Sequence, residues 1–224
     1  MTPFMSDLIQ LPGLQSRWSA LSLSIVVIVV GACNAGSSSL SPPSASPAAL
    51  PSGPLALHEG SLNAGDYTTT AFQPRLTFTL SEGWQAFFAD DPDEIALGLG
   101  GDELAITRVT QVVHPVSGES VDAPEDLMGW LAQHPALYAE QIQPAEIAGL
   151  SGAMLDAHAT TLQDTFAYPT GNMRVNAGDR VRYYVLPLDG PDLTIVVLTR
   201  SDDAFDEFKP ALESVLHSLV IHLP

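Results

Sequence analysis

An aspartate two residues ahead of a histidine, Asp156 and His158 within "GAMLDAHATT", is the arrangement in this sequence that comes nearest to general-base chemistry. On a strand, residues two apart leave the same face, and a carboxylate that orients an imidazole is what proton abstraction from a nucleophile requires. The sequence marks no nucleophile. The pair therefore reads first as polar residues on the solvent face of a sheet, and second as the working residues of an envelope-associated hydrolase. A different chemistry is suggested by "DDPDE", Asp90 to Glu94, since four carboxylates in five residues suit a hard cation such as calcium. The spacing departs from the D-x-D-x-D-G loop of an EF-hand, so a solvated turn is the expected form. His114 and His134 each precede a proline, which suits the ends of elements, and nothing marks them as ligands.

Other motifs fall away on spacing. "GLSGA" (149–153) has its second glycine one place too early for the hydrolase G-x-S-x-G, and "GLGG" (98–101) lacks the spacing and following helix of a dinucleotide loop. Both read as turns between strands. A metalloprotease H-E-x-x-H, a zinc C-x-x-C pair and a phosphate-binding G-x-x-x-x-G-K are absent from the sequence. No catalytic, cofactor-binding or metal-binding residue is assigned, and the expected protein is not an enzyme and carries no cofactor.

The sole cysteine, Cys33, stands where an uncharged apolar run, "LSLSIVVIVVGA", meets a Ser-rich segment. That run is about a dozen residues long, a signal-peptide core rather than the roughly 20 residues of a spanning helix. Val30-Gly31-Ala32-Cys33 resembles the bacterial lipobox, an aliphatic residue and two small ones before the cysteine. The resemblance covers 17–33 and implies a thiol that is alkylated with diacylglycerol and a chain cut just before it. Residues 1–32 are then the signal peptide and Cys33 the lipid attachment site. An uncleaved signal anchor and a plain secretory peptide are the competing readings, and each also places the domain outside the cytoplasm. With no second cysteine in the sequence, no intramolecular disulfide can form.

From Asn34 to Ala56 the chain is dominated by Ser, Ala and Pro, without apolar periodicity. Such a segment cannot bury enough surface to fold. Residues 33–56 read as the lipidated cysteine and its tether, reaching at most about 70 Å at 3.1 Å per residue. A single extracytoplasmic domain, 57–224, follows. In it "RLTFTL" (75–80) alternates with period two, and with "SEG" and "WQAFF" reads as a hairpin. "ELAITRVTQVV" (103–113) reads as one long strand, 152–161 as another, and "VRYYVLPL" and "LTIVVLT" flank "DGPD" as a hairpin. Asp122 is the expected cap of a helix running to Pro135, with Leu127, Trp130, Leu131 and His134 on one face. A second helix is expected from Ser201 or Asp202, kinked or broken at Pro210. Trp84, Trp130, Phe72, Phe78, Phe205 and Phe208 fall in phase with the apolar faces and read as core, an aromatic-lined ligand groove being the competing reading. The expected fold class is α+β, an antiparallel sheet packed by two or three helices.

The net charge of −18 sits on this domain: removing everything before Cys33 deletes only Asp7 and Arg17, leaving 25 acids and 7 bases. A surface this acidic repels polyanions, so nucleic acid is excluded as a partner. Through "YTTTAFQPRLTFTLSEGW", "WLAQHPAL" and "FKPALESVLHSLVI" the chain resembles extracytoplasmic lipoprotein domains of Actinobacteria and Chloroflexota and, more distantly, the PsbP-like fold. The resemblance implies an accessory or assembly role and carries over no site residue. The expected partners are the membrane, through the lipid anchor, and an envelope protein or small ligand.

Overall fold

A computed structural model describes residues 53–89, 91–169 and 171–223. The expected signal peptide, Cys33 and nearly all of the expected tether lie outside the described residues. In chain order the elements are β1 (Leu55–Ala56), β2 (Gly60–Ser61), β3 (Gly65–Thr68), β4 (Arg75–Leu80), β5 (Gln85–Phe88), β6 (Glu94–Leu99), β7 (Asp102–Arg108), β8 (Gln111–Val113) and β9 (Ser120–Asp122). After these come α1 (Leu127–Ala132), β10 (Leu137–Ala139), β11 (Gln143–Ile147), β12 (Leu150–Ala159), β13 (Gln163–Tyr168), β14 (Gly171–Val175), β15 (Arg180–Leu186), β16 (Leu193–Thr199), α2 (Asp202–Ser218) and β17 (Val220–His222).

A large sheet runs in the order β10-β12-β15-β16-β7-β6-β5-β2, with β11 also pairing β12. Two smaller sheets, β1-β3-β4-β17 and β14-β13-β8-β9, accompany it. Pairing is antiparallel except that β1 runs parallel to β3. The central strands of the large sheet are buried on both faces. Leu97, Leu104, Ile106, Ile195 and Val197 join a core with Leu76 and Phe78 of β4 and Phe205, Phe208 and Leu212 of α2. Ala105, Val181, Tyr183 and Val196 join a second core with Leu127 and Leu131 of α1 and Phe166 of β13. Burial on both sides is why β16, "LTIVVLT", shows no alternation while β4, with one face inward, does.

The expected α+β architecture is thus corrected: the fold is mainly β, and the two helices among the described residues have 6 and 17 residues. The second core is roofed chiefly by a small sheet where a helix was expected. Asp122 does not cap α1 but pairs with Gln111 at the end of β9. The cap is Asp126, whose carboxylate accepts from the Gly129 amide at 2.8 Å; a Cβ at Gly129 would collide with that carboxylate. The "RLTFTL"/"WQAFF" hairpin does not form either. Both edges of β4 are taken, by β3 and β17, so at Ser81–Gly83 the chain turns a corner into the large sheet, where β5 pairs with β6 and β2. Trp84, just past the corner, is buried edge-on to Phe208, ring centroids 5.6 Å apart. The long strand over 103–113 is two, because β8 leaves the large sheet after Arg108 to pair with β9 and β13.

The hairpin of β15 and β16 forms in register from Arg180↔Thr199 to Leu186↔Leu193. Helix α2 starts where expected, Ser201 accepting from the Ala204 amide at 3.2 Å, with Asp202 and Asp203 in its first turn favoured by the helix dipole. It passes through Pro210 as one element, without the expected break. Phe205 and Phe208 before the proline, and Leu212 and Val215 after it, are all buried, so packing on both sides holds the helix together across the missing N–H.

Candidate functional site

The Asp156 and His158 pair is where the expected chemistry meets the geometry. Both lie on β12, opposite Arg182 and Arg180 of β15. Asp156 is buried, not on a solvent face. Arg182 grips it with two hydrogen bonds, Nε to Oδ1 at 2.8 Å and Nη2 to Oδ2 at 2.7 Å, and Arg180 Nη2 stands 3.5 Å from Oδ2. Arg180 also donates from Nη1 to Asp202 Oδ1 at 2.6 Å, and that bond holds the Asp202 carboxyl below the usual carboxylate range. His158 Nε2 faces the same Asp202 oxygen at 3.7 Å. Both guanidiniums lie 4.6 Å from the Phe205 ring centroid. Asp156 is therefore committed to arginines and does not orient His158. The cluster fastens the first turn of α2 to the sheet, a bidentate, cation–π-backed clasp rather than a general base.

Of the "DDPDE" run, Asp90 lies outside the described residues. Asp91 Oδ1 accepts from the Asp93 amide at 2.9 Å, an Asx turn, whereas Glu94 is drawn inward as the first residue of β6. Among the described residues no three His, Cys, Asp or Glu side chains converge as a metal site would require. The glycine motifs are tight hairpin loops: Ala148 and Gly149 both have positive φ between paired Ile147 and Leu150, as do Gly100 and Gly101 between Leu99 and Asp102.

Glu94 instead leads to a hollow of about 310 Å³ on the second-core face of the large sheet, lined by Phe88, Glu94, Glu103, Tyr168, Met173 and Leu198, with Arg174 at its rim. A bulge builds it. The β5–β6 register shifts between Ala86 and Phe88, so the adjacent aromatics Phe87 and Phe88 both reach this face. The Phe87 ring lies 2.6 Å from where a Cβ on Gly98 would stand, so only glycine lets it lie flat on the sheet. These rings stay 50% and 38% exposed, unusual for phenylalanine on a sheet otherwise buried on both faces.

Charge in the hollow is one-sided. Burial pushes the Glu103 carboxyl up. Burial also raises the Tyr168 phenol far above its ordinary value, and the charges of Glu94 and Glu103 add to the shift, which places both carboxylates within electrostatic reach of that hydroxyl. The Tyr168 hydroxyl is buried beside the Thr107 hydroxyl, which donates to the Asp93 carbonyl at 3.0 Å. Arg174 does not neutralise the acids, because it is paired with Asp164, Nε to Oδ1 at 2.6 Å and Nη2 to Oδ2 at 3.2 Å. A larger, mainly apolar hollow of about 580 Å³ lies among Pro74, Leu150, Pro187, Leu188 and Leu223. Its arginine, Arg108, donates to the Gln73 and Pro191 carbonyls, both at 2.9 Å.

The aromatics expected as core are buried, apart from Trp130, which is half-buried edge-on to the His134 ring. Burial lowers the His134 pKa, favouring a neutral structural imidazole. Sequence reading passed over Phe87, Phe88, Glu103 and Tyr168; the available signal was a pair of adjacent phenylalanines followed at once by the acidic run.

No family model matches the chain, and no curated protein matches it. Among solved structures it is similar to the solution structure of cyanobacterial PsbP (CyanoP) from Synechocystis sp. PCC 6803, at 14% identity. The match covers 75% of this chain and 99% of that chain, with a TM-score of 0.38. No residue correspondence is drawn at that level of likeness.

Proposed function

We propose that this chain is a lipoprotein held on the extracytoplasmic face of the cell membrane through Cys33, and that its domain works by binding an envelope protein or small ligand rather than by catalysis. The observation that carries the binding reading is the bulge in β5, which sets two half-exposed phenylalanines beside a hollow lined by Glu94, Glu103 and Tyr168. Apolar rings held at the surface beside a concave face mark a place where another molecule can sit. The hydrolase reading gains nothing from the geometry, because the Asp156 carboxylate is gripped by Arg182.

The anchor rests on sequence: the apolar run, the small residues before the sole cysteine, and the Ser/Pro/Ala tether after it. No helix among the described residues is long and apolar enough to cross a membrane. Lipid anchoring is tested by growing an expressing bacterium on labelled palmitate and partitioning the protein between water and detergent phases. Wild type should carry label and enter the detergent phase, while Cys33→Ser should carry none. An unlabelled wild-type protein in the aqueous phase would sink the anchor.

A further inference from the structure

We propose that the outer face of the small sheet β1-β3-β4-β17 is the side of the domain that lies against the bilayer, where Arg75 meets lipid head-group phosphates. This rests on the anchor reading given above and adds how the anchored domain is oriented.

Along β4, Leu76, Phe78 and Leu80 turn into the core, which sends Arg75, Thr77 and Thr79 to the other face. Pairing sets Thr68 of β3 and Val220 of β17 beside Thr77, and His222 beside Arg75. This face is open: Arg75, Thr79, Val220 and His222 are exposed, Thr68 and Thr77 half-buried. A hollow of about 370 Å³ lies on it, lined by Pro54, Thr68, Arg75, Thr77, Val220 and His222, with no acid among them. Pro54 stands at the start of the described residues, so the chain leading back to Cys33 leaves from the rim of this hollow. Arg174, Arg180, Arg182 and Lys209 pair with acids, and Arg108 donates to two backbone carbonyls. Arg75 makes neither a hydrogen bond nor an ion pair among the described residues. His222 Nε2 is joined to the Thr77 hydroxyl at 3.0 Å, and Asp66, the one acid on the outward face of β3 and β4, accepts from the Thr79 hydroxyl at 2.6 Å. The free charge on this face is therefore positive. Val220 beside it is 49% exposed, and Leu55 on one edge strand and Leu223 just past the other are exposed too. An uncommitted guanidinium among exposed apolar side chains suits the head-group level of a membrane. With 25 acids and 7 bases after Cys33, most of the domain is repelled by anionic lipid, over a range of about 8 Å at physiological salt. Turning the acid-free hollow toward the surface avoids that repulsion. The tether holds the domain at an effective concentration on the order of millimolar, so a contact with a dissociation constant of about 1 mM is enough.

The test uses fluorescence quenching at single labelled cysteines. Because the anchor reading has the Cys33 thiol acylated, a cysteine introduced elsewhere takes the label alone. The full lipidated chain carrying Leu223→Cys or Val116→Cys is placed in vesicles of phosphatidylethanolamine with a minority of phosphatidylglycerol, some lipids bearing a nitroxide on the head group. Val116, 86% exposed between β8 and β9 of another sheet, is the reference. The label at position 223 should be quenched more strongly than that at 116, and the excess should shrink as salt is added. Arg75→Glu, a change of two charge units, should weaken docking about tenfold and remove most of the excess. Its melting temperature in neutral detergent should match wild type, since Arg75 is exposed and unpartnered among the described residues. Equal quenching at the two positions on vesicle-bound protein, or an excess that survives Arg75→Glu, would overturn the docking and leave the anchor standing. Energy transfer between copies labelled at 223, in place of lipid quenching, would give the face to a second copy and overturn the proposal as well. A wild-type protein that takes up label at Cys33 and stays off the vesicles would sink anchor and docking together.

Discussion

The two faces of the large sheet handle buried acid in opposite ways. Under α2, Asp156 is met by two arginines within 3.5 Å, and those arginines stack on Phe205. On the other face Glu94 and Glu103 look into a hollow with a phenol and two half-exposed phenylalanines, while the arginine at the rim is tied to Asp164. The first arrangement ties β12, β15 and the first turn of α2 together and has a structural meaning. The second has no arginine between its acids and opens on half-exposed rings. A carboxylate's surroundings, not its burial, decide whether it fastens two elements together.

The largest expected effect breaks the clasp. Asp156→Ala leaves the part-buried Arg182 without its counter-charge and Arg180 with Asp202 alone, and loss of one partner of such a cluster costs up to about 3–5 kcal/mol; urea unfolding measures it, and a change under 1 kcal/mol (roughly the worth of an exposed pair) would show the clasp to be incidental. Next is Ser201→Ala, which removes the cap of α2 and should cost about 1 kcal/mol, read from the same unfolding curves.

Glu103→Gln should act in the opposite direction. Because burial raises the folded pKa of Glu103, this group's stabilising contribution is full below the unfolded value and is lost as pH rises through the folded one. The variant should therefore melt higher than wild type at neutral pH, with the gain shrinking as the solution is made acidic past the ordinary glutamate range. A lower melting temperature at neutral pH would mean that Glu103 has a stabilising partner. The smallest effect is expected from His158→Asn: the ring is 36% exposed and 3.7 Å from Asp202, so stability should change by less than about 0.5 kcal/mol.

What could be read from the sequence was what depends on neighbours along the chain. Alternation in "RLTFTL" located β4, the "DGPD" turn located the β15–β16 hairpin, and Ser201 announced α2. Which sheet a strand joins is decided by competition for its edges, and "SEG" carries no sign that β3 and β17 outbid β5 for β4. Likewise a Pro-Glu-Asp first turn suggested a helix from Asp122, but pairing with Gln111 held that residue in a strand. The Asp156 and His158 pair was correctly placed on one face, yet two arginines from a neighbouring strand decided its meaning. The hollow was hidden for a related reason: strict alternation sends Phe87 and Phe88 to opposite faces, and only the bulge unites them.

The parallel pairing of β1 with β3 has a mechanical consequence. A pull arriving from the N-terminal side meets β1 first, a strand of two residues at the edge of a small sheet. So short a strand can peel away at little energetic cost, as chain-end segments with few bonds commonly do. Next in line is β2, equally short and paired with the bulged strand β5, so a pull that outlasts β1 reaches the aromatic corner of the large sheet before it reaches the longer β3–β4 ladder.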